Sequence, residues 1–220
     1  MFKALILTLA LIPFSGDCQI HTISLEDKAV PEPFSRDSTV DQWNLLQKDY
    51  SLLTSQAKQV FYWVNYCRNN PVKFWDSVVV PILMVFPALN GSESASLRAD
   101  LIKTAGQPMF RLNSSLIKTA QEHAVDIAAK KALPSHLSTK GEGFDVRIKR
   151  AGIKYCASEN ISLSNQSMLL SVVLLYLDIG LPELGHRKSL LSADLREIGI
   201  GSALYGEDQY FLVQDLACAQ

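Results

Sequence analysis

The sequence is short of the features that mark many protein classes. Four cysteines in 220 residues are too few for a disulfide-dense scaffold. Cys18, Cys67, Cys156 and Cys218 also lack Cys-X-X-Cys spacing, which argues against a thiolate zinc site. Charge of either sign is not in excess, with 21 Lys+Arg against 22 Asp+Glu and a formal net charge of −1. Phosphate binding needs clustered Lys/Arg, and no such stripe is present, so no nucleic-acid partner is expected. No apolar run reaches the roughly 20 residues that span a bilayer as a helix, so the chain is not expected to be an integral membrane protein. Internal repeats, low-complexity tracts, a Gly-X-Ser-X-Gly elbow, a His-Glu-X-X-His helix and a phosphate loop are all missing. What remains is ordinary globular composition, 48% apolar and 20% charged. That is enough for one large domain, or one domain with an extension.

The chain opens with a targeting signal. Lys3 is followed by a mainly apolar run from Ala4 to Phe14, within the 7–15 residues of a signal-peptide core. Gly16 and Cys18 are small residues two apart, suited to a cleavage before Gln19. Residues 1–18 are therefore read as a signal peptide, and the mature chain as secreted, extracellular or periplasmic. Export leaves three cysteines in an oxidising compartment, hence at most one internal bridge. Cys156 and Cys218 lie in strand-like segments and are the candidate pair. Cys67 lies in an apolar helical stretch and reads as a small core residue.

Residues 19–50 read as an N-terminal arm, with Pro31 and Pro33 early and helical character from about residue 41. Residues 51–220 form the domain. Val60, Phe61, Val64 and Cys67 share a helical face, and Asn69-Asn70-Pro71 stops that helix. Phe74 to Phe86 is apolar but contains Pro81, with Pro87 after it, so short turns covering the core are expected. A further helix is expected near Leu97 to Thr104. Asn113 should cap a helix over about 114–131, with its stripe on Leu116, Ala120, Ala124, Ile127 and Ala128. Phe144 to Ala151 is a short helix closed by Gly152, and Ile153 to Ile161 a strand. Asn165 is expected to cap a helix reaching Asp178 whose segment Met168 to Leu177 is apolar nearly all round. Ile198 to Tyr205 and Gln209 to Ala217 form a hairpin. Helices that precede and interleave with strands predict an α+β protein, a layered αβα arrangement rather than a βαβ array.

Three histidines fall beside acids. His123 is helical, His136 follows in a loop, Glu159 lies on a strand end, and His186 follows the loop from Asp178 to Glu183. Two imidazoles and two carboxylates suit a divalent ion or general acid–base work. His136 and His186 are far apart in sequence, so spacing alone leaves scattered surface or capping histidines as the plainer reading. Asp126, three residues after His123, is a possible partner for it. Asn90, Asn113, Asn160 and Asn165 each start an Asn-X-Ser sequon.

Several short segments then fall in order. Asn65-Tyr-Cys-Arg68-Asn-Asn-Pro71-Val-Lys-Phe74 comes first. Ala120-Gln-Glu-His123-Ala124-Val-Asp126-Ile-Ala128 and Ser135-His136 follow. Ser158-Glu159-Asn160-Ile161 and Gly185-His186-Arg187-Lys-Ser-Leu190-Leu191 come next. Ile198-Gly199-Ile200-Gly201 and Val213-Gln214-Asp215-Leu216-Ala217 close the series. Together they resemble the CAP superfamily (cysteine-rich secretory protein, antigen 5 and pathogenesis-related, or SCP-like), its bacterial branch most, over about residues 55–218. The resemblance implies a three-layer αβα sandwich and a cleft lined by His136, Glu159, His186 and the acid Asp178. Animal members carry Glu where Asp178 stands, and the shorter side chain draws the carboxylate back. His123, Asn160 and Arg187 form a second tier: a helix histidine bonded to backbone or an acid, a turn anchor, and a guanidinium paired with an acid.

The resemblance implies a secreted module binding a lipid, glycan or protein ligand, with zinc or magnesium a candidate in the cleft. One alternative is a metal-assisted hydrolase of peptide or envelope polymer, with Glu159 as general base. Ser135 and Ser158 beside the motifs read as turn formers. A second alternative is a structural or adhesive module whose partner surface is Val78 to Phe86.

Overall fold

The computed structural model describes residues 5–11, 19–165 and 167–220. In chain order the strands are β1 (Leu5–Leu11), β2 (Gln19–Leu25), β3 (Arg111–Leu112), β4 (Ala157–Asn165), β5 (Leu195–Tyr205) and β6 (Gln209–Cys218). The helices are α1 (Ser38–Leu45), α2 (Ser55–Asn69), α3 (Pro71–Phe74), α4 (Val80–Val85), α5 (Ser92–Lys103), α6 (Ser114–Ala129), α7 (Phe144–Arg150), α8 (Met168–Leu177) and α9 (Gly185–Leu191). The sheet order is β2-β1-β4-β6-β5-β3. Its centre, β4-β6-β5, is antiparallel, and β3 joins β5 in parallel. The Leu5–Leu11 strand lies within the segment read as an export signal, and pairs with both β2 and β4. Gly16 and Cys18, on which the expected cleavage rests, lie outside the described residues.

Strand residues alternate between two faces, and each face of this sheet is covered by helices. Ile161, Leu163, Phe211 and Val213 face α6, packing on Ala120, Ala124, Ile127 and Ala128. Ile198, Ile200, Leu212 and Leu216 face the other way, into the larger core with α2 and α8. The chain is thus an α+β, three-layer αβα sandwich. α6 sits almost on the sheet because β5 has glycines beneath it. A Cβ added to Gly199 would lie 2.0 Å from the carbonyl carbon of Leu116, and one at Gly201 2.3 Å from that of Ala120. Asn113 caps α6 as expected, accepting from the Ser115 and Leu116 amides.

The opposite layer is pinned by buried polar side chains. Asn65 on α2 accepts the Phe110 amide at 2.8 Å. Arg68, one turn on, is 1% exposed. It donates to the carbonyls of Pro108, Leu190, Ser192 and Leu195 and stacks on the Phe110 ring at 3.9 Å. The Asn-X-X-Arg pair therefore stitches α2 to the segments entering β3 and β5.

Three expectations differ from what is observed. Phe74 to Phe86 is not a set of turns: α3 runs through a π-helical stretch, Trp75–Val79, into α4. Pro81 lies within this continuous helical run, directly after the π-helical stretch, and a π-bulge is one way a helix takes up a break in its regular ladder. Val78, Val79, Ile82, Leu83 and Phe86 are buried, so this stretch is core rather than partner surface. Asn165 does not cap α8; β4 continues to it, paired with Gln209, and Ser167 accepts the Leu170 amide as the cap. The strand expected from Ile153 starts only at Ala157. Cys156 and Cys218 form a disulfide with Cα atoms 5.4 Å apart, joining the start of β4 to the end of β6. Cys67 is a buried free thiol.

Candidate functional site

β4 and β6 carry the acids. Glu159 and Asp215 are direct partners in their antiparallel ladder, so their side chains emerge side by side on the α6–α7 face. Both are buried. Glu159 Oε1 accepts from His136 Nδ1 at 2.8 Å, and its Oε2 from Arg147 at 2.5 Å. Arg147 also donates to the His136 and Glu142 carbonyls, so α7 fastens the 136–142 loop over the acid. The loop is tied again by His123, whose Nε2 donates to the Ser135 carbonyl at 2.8 Å. Asp126 accepts both the amide and the hydroxyl of Thr139. Asp126 is therefore a loop anchor and not the partner of His123.

The electrostatics follow from burial and neighbours. Burial pushes the Glu159 carboxyl up. The His136 hydrogen bond and then the Arg147 charge lead the contributions that outweigh it and hold the group below its ordinary value. Asp215 goes the other way. Burial first, then the charge of Glu159, pushes it well above the usual carboxylate range, and Arg147 offsets only part. Among the described residues neither Asp215 oxygen meets an N–H or O–H donor. Burial lowers the His123 pKa. Its neutral ring carries the proton on Nε2, leaving Nδ1 without a partner among the described residues.

The second pair lies in the α8–α9 layer. Asp178 ends α8 in the left-handed region, at φ 52°. It accepts from His186 Nδ1 at 2.5 Å and from the Arg187 amide at 2.9 Å. Arg187 donates to the Tyr176 and Leu177 carbonyls, to Ser96 and to Asp100, so it packs α9 against α8 and α5. Asn160 is on the face of β4 opposite Glu159. It donates to Gln214 and accepts from Ser189, whose hydroxyl also donates to the His186 carbonyl. Asn160 thus links the sheet to α9 rather than holding a turn.

The four first-tier residues therefore form two dyads, His136–Glu159 and His186–Asp178, associated with opposite faces of β4. Each imidazole uses Nδ1 on its acid, the carboxylate–histidine arrangement that orients a ring for a ligand at its other nitrogen, while Arg147 also holds Glu159 and both oxygens of Asp178 are engaged. Among the described residues no three His, Cys, Asp or Glu side chains are arranged to hold a metal. Two members of the buried group were not singled out from sequence. Asp215 left a signal: it occupies a core-facing register between Val213 and Ala217. Arg147 left none, since its position in a short charged helix reads as surface.

A cleft of about 590 Å³ opens between α6 and α7, above this group. Its walls include Lys118, Thr119, Glu122, Asp126, Glu142 and Arg150, and it reaches His123 and Arg147. The lining is polar and carries both signs of charge.

Sequence, fold and site point to one class, the αβα-sandwich domains. The profile of the cysteine-rich secretory protein (CAP) family matches residues 61–216, and the chain belongs to this family. No curated protein matches the chain. An extracellular SCP-domain protein from Bacillus anthracis is 23% identical with a TM-score of 0.40, over 51% of this chain and 35% of its own. The chain thus spans about a third of that protein. An outer surface protein from Borrelia burgdorferi is 21% identical with a TM-score of 0.41, over 59% of this chain and 89% of its own. Venom allergen-like protein 4 of Schistosoma mansoni is 12% identical with a TM-score of 0.42, over 76% of this chain and 91% of its own. Among the described residues no helix is long and apolar enough to cross a membrane.

Proposed function

We propose that this chain is an exported CAP-domain binding module that takes a polar ligand in the α6–α7 cleft. The observation that carries the reading is the continuity between the open cleft and the buried group. His123 and Arg147 line the cleft, and Arg147 is bonded to Glu159 beneath. A ligand settling on the cleft therefore meets a floor whose charge and geometry are set by the sheet. A lipid tail is disfavoured, since lipid sites are walled by apolar side chains and this cleft is not. A glycan or a polar peptide suits its hydroxyl, carboxylate and cationic walls. Export uses the N-terminal segment, cut before Gln19, and N-terminal sequencing of the secreted chain checks that step.

One observation favours the hydrolase reading: two adjacent carboxylates with pKa values pushed apart suit acid–base work. Both, however, are enclosed under Arg147 and the 136–142 loop, away from substrate. Binding is preferred for that reason. The test is thermal shift and calorimetry with soluble glycans and polar peptides, on wild type and on a Lys118→Glu, Arg150→Glu variant. Saturable binding that the variant loses supports the module. Chelator-sensitive turnover of casein or cell-wall polymer that vanishes in Glu159→Gln would establish the enzyme instead. Zinc titration of wild type against His136→Ala plus His186→Ala tests a metal held by the two imidazoles: a drop of tenfold or more in the double variant supports it, and equal affinities sink it.

A further inference from the structure

A second, smaller pocket of about 270 Å³ lies where α1, the end of α2 and the sheet edge β3–β5 meet. Trp43, Asn69, Gln107, Met109, Arg111 and Arg196 line it, and no carboxylate is among its lining residues. Trp43 is held in place, its indole donating to the Phe110 carbonyl at 2.9 Å. The loop that forms one wall is fastened to α2 by the Gln107 amide, which donates to the Arg68 carbonyl at 2.6 Å. The rim is therefore built on fixed elements.

The two arginines lack charge partners. Arg111 and Arg196 are exposed. Among the described residues Arg111 makes no side-chain hydrogen bond or ion pair, and Arg196 donates only to the nearby Ala193 carbonyl. Glu197, the register partner of Arg111 across β3–β5, is engaged by Asn113 at 2.7 Å. Two guanidiniums on one small pocket repel each other, and Arg196 also bears on the buried Arg68. A doubly charged anion relieves that repulsion and satisfies the forked donors. The indole and thioether beside them offer a face for a flat or short apolar body.

We propose that this pocket binds a phosphate monoester, with Arg111 and Arg196 on the phosphate and Trp43 and Met109 against the organic group. A phosphomonoester carries about −1.5 to −2 at neutral pH, which matches two guanidiniums better than a carboxylate does. The volume admits the phosphate and one small ring or short chain. The site is separate from the α6–α7 cleft and does not depend on the ligand proposed there.

Phenyl phosphate, benzoate and phenol are titrated into the purified chain by calorimetry and tryptophan fluorescence, at low and at 0.5 M salt. Phenyl phosphate should bind saturably, at least tenfold more tightly than benzoate, and weaken with salt. Phenol should not bind. The Arg111→Gln, Arg196→Gln double variant should keep the wild-type Tm, both side chains being exposed, and lose at least tenfold in affinity. Co-sedimentation with phosphatidylcholine vesicles, with and without phosphatidic acid, separates the sources of the phosphate. Retention by phosphatidic acid alone, lost in the double variant, assigns the ester to a lipid headgroup. Binding of phenyl phosphate without vesicle retention assigns it to a soluble ester. The proposal is overturned if the double variant binds as wild type, if benzoate binds as well as phenyl phosphate, or if neither phenyl phosphate nor the phosphatidic acid vesicles bind.

Discussion

Glu159 and Asp215 face each other across the β4–β6 ladder, both buried, one carboxyl held below its ordinary pKa and the other well above. Like charges directly opposite are unfavourable in a sheet, and the raised pKa of Asp215 eases this, since it holds its proton to higher pH than an ordinary aspartate. The raised pKa of Asp215 gives stability that is complete below the ordinary aspartate range and declines as pH rises toward its folded value. Asparagine cannot ionise. Asp215→Asn should therefore gain on wild type as pH goes from 4 to 8, by a few degrees of Tm. Glu159→Gln should do the reverse, because a lowered pKa stabilises above the ordinary glutamate range and that benefit is lost as pH falls. Its deficit should be largest at pH 7 and shrink on acidification. Thermal melts of both variants over pH 4–8 check the signs.

Gly201 and Gly199 should tolerate no side chain. The added methyl would meet the backbone of α6, which has no flexible end to move. Gly201→Ala is expected to cost about 2 kcal/mol or more, in the range of an overpacked core, and Gly199→Ala at least as much. Urea unfolding measures the loss.

Removing Arg68 should be among the most damaging single changes. Arg68→Ala orphans four carbonyls at the junction of α2 with β3 and β5, and each lost partner of a buried group costs about 1–3 kcal/mol. Arg68→Lys restores the charge but not the fork, and should recover only part. Chemical denaturation of the two variants against wild type separates loss of charge from loss of geometry.

The disulfide closes a loop with a sequence separation of 62. Chain entropy alone gives it a stabilisation of roughly 4 kcal/mol. Cys156→Ser plus Cys218→Ser should lower the urea midpoint accordingly, and reductant should do the same to wild type while leaving the double variant unchanged. Cys67, whose pKa is pushed up to about 12 by burial, should stay unreactive to thiol reagents in the native state.

Periodicity made much of the architecture legible. The α6 stripe, its Asn113 cap, the buried α8 and the β5–β6 hairpin all show in local pattern, because each depends on neighbours a few residues away. The prolines at 81 and 87 misled: Pro81 is accommodated inside a helical run next to a π-helical stretch, and Pro87 only follows its end. Asn165 misled for a related reason: a good capping residue also serves as the last residue of a strand when its backbone finds Gln209.

The sequence by itself determined the family, the layered class and the acids and imidazoles available for a site, because motif identity and alternation are properties of short segments. Only the tertiary structure decided how those groups are shared out. Cross-strand register set Glu159 against Asp215, the docking of α7 brought Arg147 onto Glu159, and the left-handed end of α8 turned Asp178 to His186. Each of these partnerships spans residues distant in sequence or turns on a single backbone conformation, and long-range pairing and buried electrostatics exist only once the layers have packed.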